Sequence, residues 1–78
     1  MSYDEVLKAV FKDVGCVNRD GTLYIYDRKY KTNYVLLHDA NTSYLFELDE
    51  KDRKLYKGCI DGTRPSDKLR LMLNFIRR

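Results

Sequence analysis

The chain has 78 residues, of which 44% are hydrophobic and 35% are charged, and its formal net charge is +3. This length allows one domain with a thin core, and the composition excludes the low hydrophobicity of a disordered segment. No apolar run is long enough to span a membrane, so we expect no membrane partner. Because Asp4 and Glu5 interrupt any basic and apolar leader, we expect a cytoplasmic protein.

The first segment has the pattern of an amphipathic helix. Ser2 and Glu5 have the spacing of a capping box, in which each side chain accepts a hydrogen bond from the backbone amide of the other residue. Gly15 lies where a helix that starts there would commonly end. The apolar positions between them recur three and four residues apart, which predicts a helix of about three turns. These positions are Tyr3, Val6, Leu7, Val10, Phe11 and Val14.

Four segments in the middle of the chain have the pattern of β-strands. Residues 22–26 alternate Leu23 and Ile25 with tyrosines, and residues 34–38 are apolar enough for a central strand. Residues 43–49, which place Tyr44, Phe46 and Leu48 on one face, and residues 54–60 are the other two, with a β-bulge predicted at Gly58. Turn-forming residues precede the first segment at 18–21 and separate the later ones, as at 39–42. Such short connections predict antiparallel hairpins in a meander.

The last segment predicts a second helix with Ser66 as its N-cap. Leu71 and Phe75 widen its apolar arc beyond the predicted core-facing stripe, which consists of Leu69, Met72, Leu73 and Ile76. The sequence therefore predicts one α+β domain over residues 1–78, with the element order α-β-β-β-β-α. In this architecture two helices cover one face of an antiparallel meander sheet.

The sequence contains no pattern of residues that is typical of catalysis. His38 is the only histidine, and its apolar strand context indicates a structural role rather than that of a general base. Cys16 and Cys59 have no metal-binding or redox spacing. We expect both to be buried thiols in a reducing compartment, with a disulfide between them as the alternative. We predict a protein that is not an enzyme and that uses no cofactor and no metal ion.

The leading hypothesis is a small binding protein that acts through protein–protein interaction. Seven tyrosines are present, and tyrosine suits both half-buried strands and binding surfaces. The predicted contacts with a protein partner, or with a second copy of the chain, are Leu71, Phe75, Tyr24, Tyr26 and Tyr30. In size and composition the chain is similar to phage and mobile-element proteins that bind host machinery. This similarity favours a regulator or inhibitor of a host complex.

The alternative hypothesis is a nucleic-acid-binding domain. Residues 63–78 carry five basic residues and one acidic residue, and the basic loop at residues 28–31 contains a tyrosine. Basic side chains neutralise phosphates, and tyrosine stacks on unpaired bases. The order helix, strands, helix is similar to that of double-stranded RNA-binding domains, although residues 64–68 lack the basic motif of that family. The alternative site consists of Arg28, Lys29, Lys31, Arg70, Arg77 and Arg78, and it requires the loop and the helix to share a surface.

Overall fold

The computed structural model describes residues 13–76, which form five strands followed by one helix. Each strand pairs antiparallel with the next strand along the chain, so the sheet order is β1-β2-β3-β4-β5 and the predicted meander is confirmed. The elements are β1 (Val14–Arg19), β2 (Thr22–Asp27), β3 (Thr32–Asp39), β4 (Thr42–Leu48), β5 (Lys54–Asp61) and α1 (Pro65–Phe75).

Two-residue turns fix the register of two of the hairpins. Asp20 and Gly21 join β1 to β2 with φ angles of 52° and 83°, and positive angles at both positions are those of a type I′ turn. The Asn18 side chain accepts a hydrogen bond from the Gly21 amide at 3.1 Å. Ala40 and Asn41 form the two-residue connection between β3 and β4, with a φ of 54° at Ala40. The turns predicted from the sequence at these two places are confirmed.

Strand β1 differs from the sequence prediction, which assigns Val14 to the first helix and Gly15 to its end. In the structure both residues belong to β1, with Val14 opposite Asp27 on β2. The hairpin turn explains the difference, because a two-residue turn places a paired strand on each side of it. The rest of the predicted first helix lies outside the described residues. Within residues 13–76, one helix rather than two packs on the sheet.

One face of the sheet, which we call the covered face, forms the hydrophobic core with α1. Helix α1 packs on β4 and β5, where the Phe75 ring lies directly on Gly58. A side chain at residue 58 would occupy the position of this ring, so the glycine permits the close approach of helix and sheet. The buried members of the core are Val14, Leu23, Ile25, Tyr34, Leu36, Leu45, Leu71, Met72 and Ile76.

The first turn of α1 begins earlier than predicted. Arg64 is the N-cap and Pro65 is the first helical residue, whereas the sequence pattern indicated Ser66 as the N-cap. Proline suits this position because its fixed φ angle is helical and it has no amide hydrogen to leave unpaired. Asp67 accepts hydrogen bonds from the Arg64 backbone amide and from Arg64 Nε, both at 3.2 Å. The hydrogen bond from the Arg64 side chain lowers the pKa of Asp67.

The orientation of α1 also differs from the prediction. Leu71 is only 1% exposed and belongs to the core, while Leu73 is 41% exposed. The sequence analysis placed Leu73 on the core-facing stripe and Leu71 outside it, so these two assignments are reversed. The helix contains apolar residues on more than one side, and its apolar periodicity alone did not determine which side faces the sheet.

Candidate functional site

The face of the sheet opposite α1 carries an apolar row that crosses all five strands. Residues directly opposite one another on antiparallel strands lie on the same face of the sheet. No element within residues 13–76 packs over this row, since α1 lies on the covered face. The row consists of Val17, Tyr24, Val35, Phe46 and Tyr56.

The strand register adds a further row on each side of the apolar row. One flanking row consists of Arg19, Thr22, Leu37, Tyr44 and Cys59. The other consists of Gly15, Tyr26, Asn33, Leu48 and Lys54. We call these three rows together the open face.

Aromatic side chains dominate the open face. Tyr24 is 41% exposed and Tyr56 is 58% exposed, so both present much of their rings to solvent. Phe46 packs edge-to-face against Tyr56 with 5.7 Å between the ring centroids. Val35, between Tyr24 and Phe46 in the row, is fully buried although no helix of residues 13–76 covers it. The open face is therefore a packed surface of rings on a rigid sheet, and such surfaces are enriched in protein interfaces.

The amino-acid pattern of β2 shows why one strand serves two different faces. Leu23 and Ile25 point to the covered face, and Tyr24 and Tyr26 point to the open face, as the sequence alternation predicts. A leucine loses its contact with water completely in the core. A tyrosine packs its ring on its neighbours and keeps its hydroxyl hydrated, so it suits a face that is exposed until a partner binds.

A groove of about 350 Å³ lies on the open face beside β1. The Arg28 guanidinium lies next to Gly15, 3.4 Å from the position that a Cβ atom there would occupy. The Arg19 guanidinium lies 5.7 Å from the centre of the Tyr24 ring, within the range of a cation–π contact. Tyr26 also lines the groove, and none of the described residues that line it is acidic.

The structure brings together only some of the residues predicted to contact a protein. Tyr24 and Tyr26 lie on the same face of β2, whereas Tyr30 is exposed in the β2–β3 loop. The centre of the Tyr30 ring lies 5.5 Å from Lys29 Nζ. Leu71 is buried in the core, and Phe75 is partly buried against it. Leu71 therefore offers no exposed apolar surface, which corrects its assignment as an interface residue.

The described residues of the predicted nucleic-acid site do not share one surface. Arg28 lies against Gly15 on the open face, while α1 packs on the covered face. Arg70 is exposed on α1, with its Nη2 3.8 Å from Asp67 Oδ1. Lys29 and Lys31 are exposed in the loop, and Arg77 and Arg78 lie outside the described residues.

The sheet separates Cys59 from Cys16 and His38, which both lie on the covered face. Neither cysteine forms a disulfide; Cys16 is half-buried, and Cys59 is exposed on the open face. The expectation that both thiols are buried is therefore wrong for Cys59. His38 lies on the covered face beside Ser43, with 3.0 Å between its Nδ1 and Ser43 Oγ. Within residues 13–76, no three His, Cys, Asp or Glu side chains are arranged to hold a metal ion.

Sequence reasoning did not select three aromatic residues of the open face, Tyr44, Phe46 and Tyr56. The alternation in β4 grouped Tyr44 and Phe46 correctly, but an apolar face of a strand is equally compatible with the core. In the structure Leu45 faces the core instead. Tyr56 lies beyond a bulge, where the register shifts because Leu45 pairs with Gly58 and Phe46 pairs with Tyr56. The extra residue is Lys57, next to the glycine at which the bulge was predicted.

No protein-family model, no curated protein and no solved structure matches the chain. No helix in the described part of the chain, residues 13–76, has the length and hydrophobicity needed to cross a membrane. The function is therefore inferred from the geometry of the open face.

Proposed function

We propose that the protein is a non-enzymatic binding protein that acts through protein–protein interaction, with the open face as its contact surface. The observation that carries this proposal is the exposure of Tyr24, Tyr26 and Tyr56 on the face of the sheet opposite α1. Tyrosines are prominent among the residues that contribute most to the binding free energy of protein interfaces. Fully burying a large apolar side chain contributes about 1.5–3 kcal/mol, so three such residues supply a substantial part of an interface.

The distribution of charge supports a protein partner over a nucleic acid. Binding along a nucleic-acid strand relies on many Lys or Arg contacts with phosphates. The open face carries Arg19 and Lys54 on strands that are not neighbours, and Arg28 reaches it from a loop. Asp39 and Asp61 lie at one end of the same face, where they would repel a phosphate backbone.

A domain that binds without chemistry acts on its partner by occupying a surface. Occlusion of this kind is the action of a regulator or an inhibitor, and it requires no catalytic residue. The pairing of all five strands supports this role, because a backbone that is already ordered loses little conformational entropy when a partner binds.

The test compares partner capture by three matched forms of the full chain. The open-face variant is Tyr24→Ser with Tyr56→Ser. The control variant is Tyr30→Ser with Leu73→Ser, which changes an equal number of exposed apolar side chains away from the open face. Each form is immobilised, incubated with lysate of the native host with or without nuclease treatment, and analysed by quantitative mass spectrometry.

We expect a protein that is captured by the wild type and by the control variant, and that is depleted by about tenfold or more with the open-face variant. Circular dichroism and thermal melting of all three forms establish that each is folded. Equal capture by the wild type and the open-face variant would show that the partner binds elsewhere. Loss of all capture after nuclease treatment would favour the nucleic-acid alternative.

A further inference from the structure

The arginines of the groove beside β1 differ from the other described arginines because they are not paired with a carboxylate of the described residues. Outside the groove, Arg53 pairs with Asp49, and Arg64 and Arg70 pair with Asp67. Arg19 and Arg28, which line the groove, form no ion pair with a carboxylate of the described residues. The groove therefore presents two positive charges that the described part of the domain does not neutralise.

Both charges lie along β1, next to apolar side chains. The Arg28 guanidinium lies against Gly15, and the Arg19 guanidinium lies 5.7 Å from the centre of the Tyr24 ring. Tyr24 is opposite Val17, which lies between residues 15 and 19 on the same face of β1. The groove thus places two positive groups beside exposed apolar side chains.

We infer that this groove selects an extended segment of the protein partner that presents two carboxylates and an apolar side chain on the side facing the groove. In an extended segment, alternate side chains point to the same side, as they do along β1. The carboxylates would contact Arg28 and Arg19, and the apolar side chain would contact Val17. The inference rests on the proposed function and names the chemistry of the partner.

Arginine suits this task because its planar guanidinium binds a carboxylate through two parallel hydrogen bonds. An extended nucleic-acid strand is also anionic, but it carries a phosphate at every nucleotide rather than two carboxylates beside an apolar side chain.

The probe is a library of displayed random peptides, selected on the immobilised full chain. We expect enriched peptides with two acidic residues and a neighbouring apolar residue. These peptides should bind the Arg19→Ala, Arg28→Ala double variant at least about tenfold more weakly than they bind the wild type. The matched control, Lys51→Ala with Arg70→Ala, removes two exposed positive charges outside the groove and should bind the peptides as the wild type does.

Charge reversal sharpens the test. Selection on the Arg19→Glu, Arg28→Glu variant should enrich basic residues in place of the acidic pair. Enriched peptides without an acidic pair, or with equal affinity for the wild type and the alanine variant, would overturn the inference. The proposed function would still stand if those peptides fail to bind Tyr24→Ser with Tyr56→Ser. Failure to enrich any peptide that depends on the open face would overturn both. Competition of a thymidine oligonucleotide for the groove would identify a nucleic acid as the occupant.

Discussion

The covered face and the open face are both rich in apolar atoms, but they are built from different side chains. The covered face is mainly aliphatic, with Leu36 and Leu45 side by side on adjacent strands under α1. The open face carries Tyr24 and Phe46 on either side of Val35. Aliphatic side chains suit an interior that stays dry, whereas tyrosines suit a surface that alternates between water and a partner. The choice of residue therefore distinguishes a face that stabilises the fold from a face available for binding.

The largest expected effect on stability is on the covered face, at Leu71. Replacing this buried side chain with alanine in Leu71→Ala removes core contacts and leaves a cavity, so we expect the free energy of unfolding to fall by about 2–5 kcal/mol. Leu73→Ala is the matched control on the exposed side of α1, and it should change this free energy by less than about 1 kcal/mol. Urea denaturation measures both. A larger loss for Leu73→Ala would show that α1 packs in the orientation predicted from the sequence.

The next effect compares two strand glycines, one on each face. In Gly58→Ala the new methyl group would overlap the Phe75 ring, so α1 must shift, and we expect a loss of about 1–3 kcal/mol. In Gly15→Ala the nearest atom is the end of the Arg28 side chain, which can move away. We therefore expect little or no loss of stability for Gly15→Ala. Thermal melting of both variants checks the comparison, and equal losses would mean that helix packing is not the cause.

Much of the sheet could be predicted from the sequence because its signals are local. The turns at residues 18–21 and 39–42 and the alternation of Leu23, Tyr24 and Ile25 each involve a few adjacent residues. Strand β1 was missed because Val14 also fits the helical spacing of the residues before it. Only pairing with β2 across the hairpin determines its conformation, and a pattern within one segment does not record that pairing.

The candidate site was less predictable, because it depends on which face α1 covers. Tyr24 and Tyr26 were selected from the sequence, yet Phe46 and Tyr56 join them only through the cross-strand register. The position of Arg28 beside Gly15 is likewise a tertiary contact between a loop and an edge strand. Leu71 was assigned to the interface because helical periodicity does not specify which of two apolar sides meets the sheet.

A smaller effect on stability is expected on the open face. Tyr24→Ser removes a half-exposed ring, and we expect the free energy of unfolding to change by less than about 1 kcal/mol. Leu23→Ala, one residue earlier on the same strand, removes a buried side chain and should cost about 2–5 kcal/mol. Urea denaturation of the two variants compares adjacent positions on opposite faces. If Tyr24→Ser destabilises as much as Leu23→Ala, the open face contributes to folding as the core does.

The smallest expected effect concerns the pH dependence of the covered face at His38. Ser43 Oγ donates a hydrogen bond to the Gly62 carbonyl oxygen at 2.6 Å, so His38 Nδ1 must be the donor to Ser43 Oγ. The neutral ring then has no proton on Nε2, which is buried and has no hydrogen-bond partner among the described residues. Burial, with a smaller contribution from the positive charge of Lys68, lowers the pKa of His38.

Because the folded state disfavours protonated His38, acid favours the unfolded chain. The unfolded chain takes up a proton at His38 as the pH falls below its ordinary value of about 6.5, while the folded state takes it up only at lower pH. The free energy of unfolding should therefore decrease between about pH 7.5 and pH 5.5. Asp49 and Asp67 have lowered pKa values, so each stabilises the folded state while it is ionised. This stabilisation is lost only as the pH falls to about 4 and below, outside this window. Since His38 is the only histidine, urea denaturation of His38→Gln should show a flatter profile than the wild type between these two pH values. Parallel profiles would mean that His38 takes up its proton equally well in the folded and unfolded states. Burial of its Nε2 would then have no effect on the pH dependence of the free energy of unfolding.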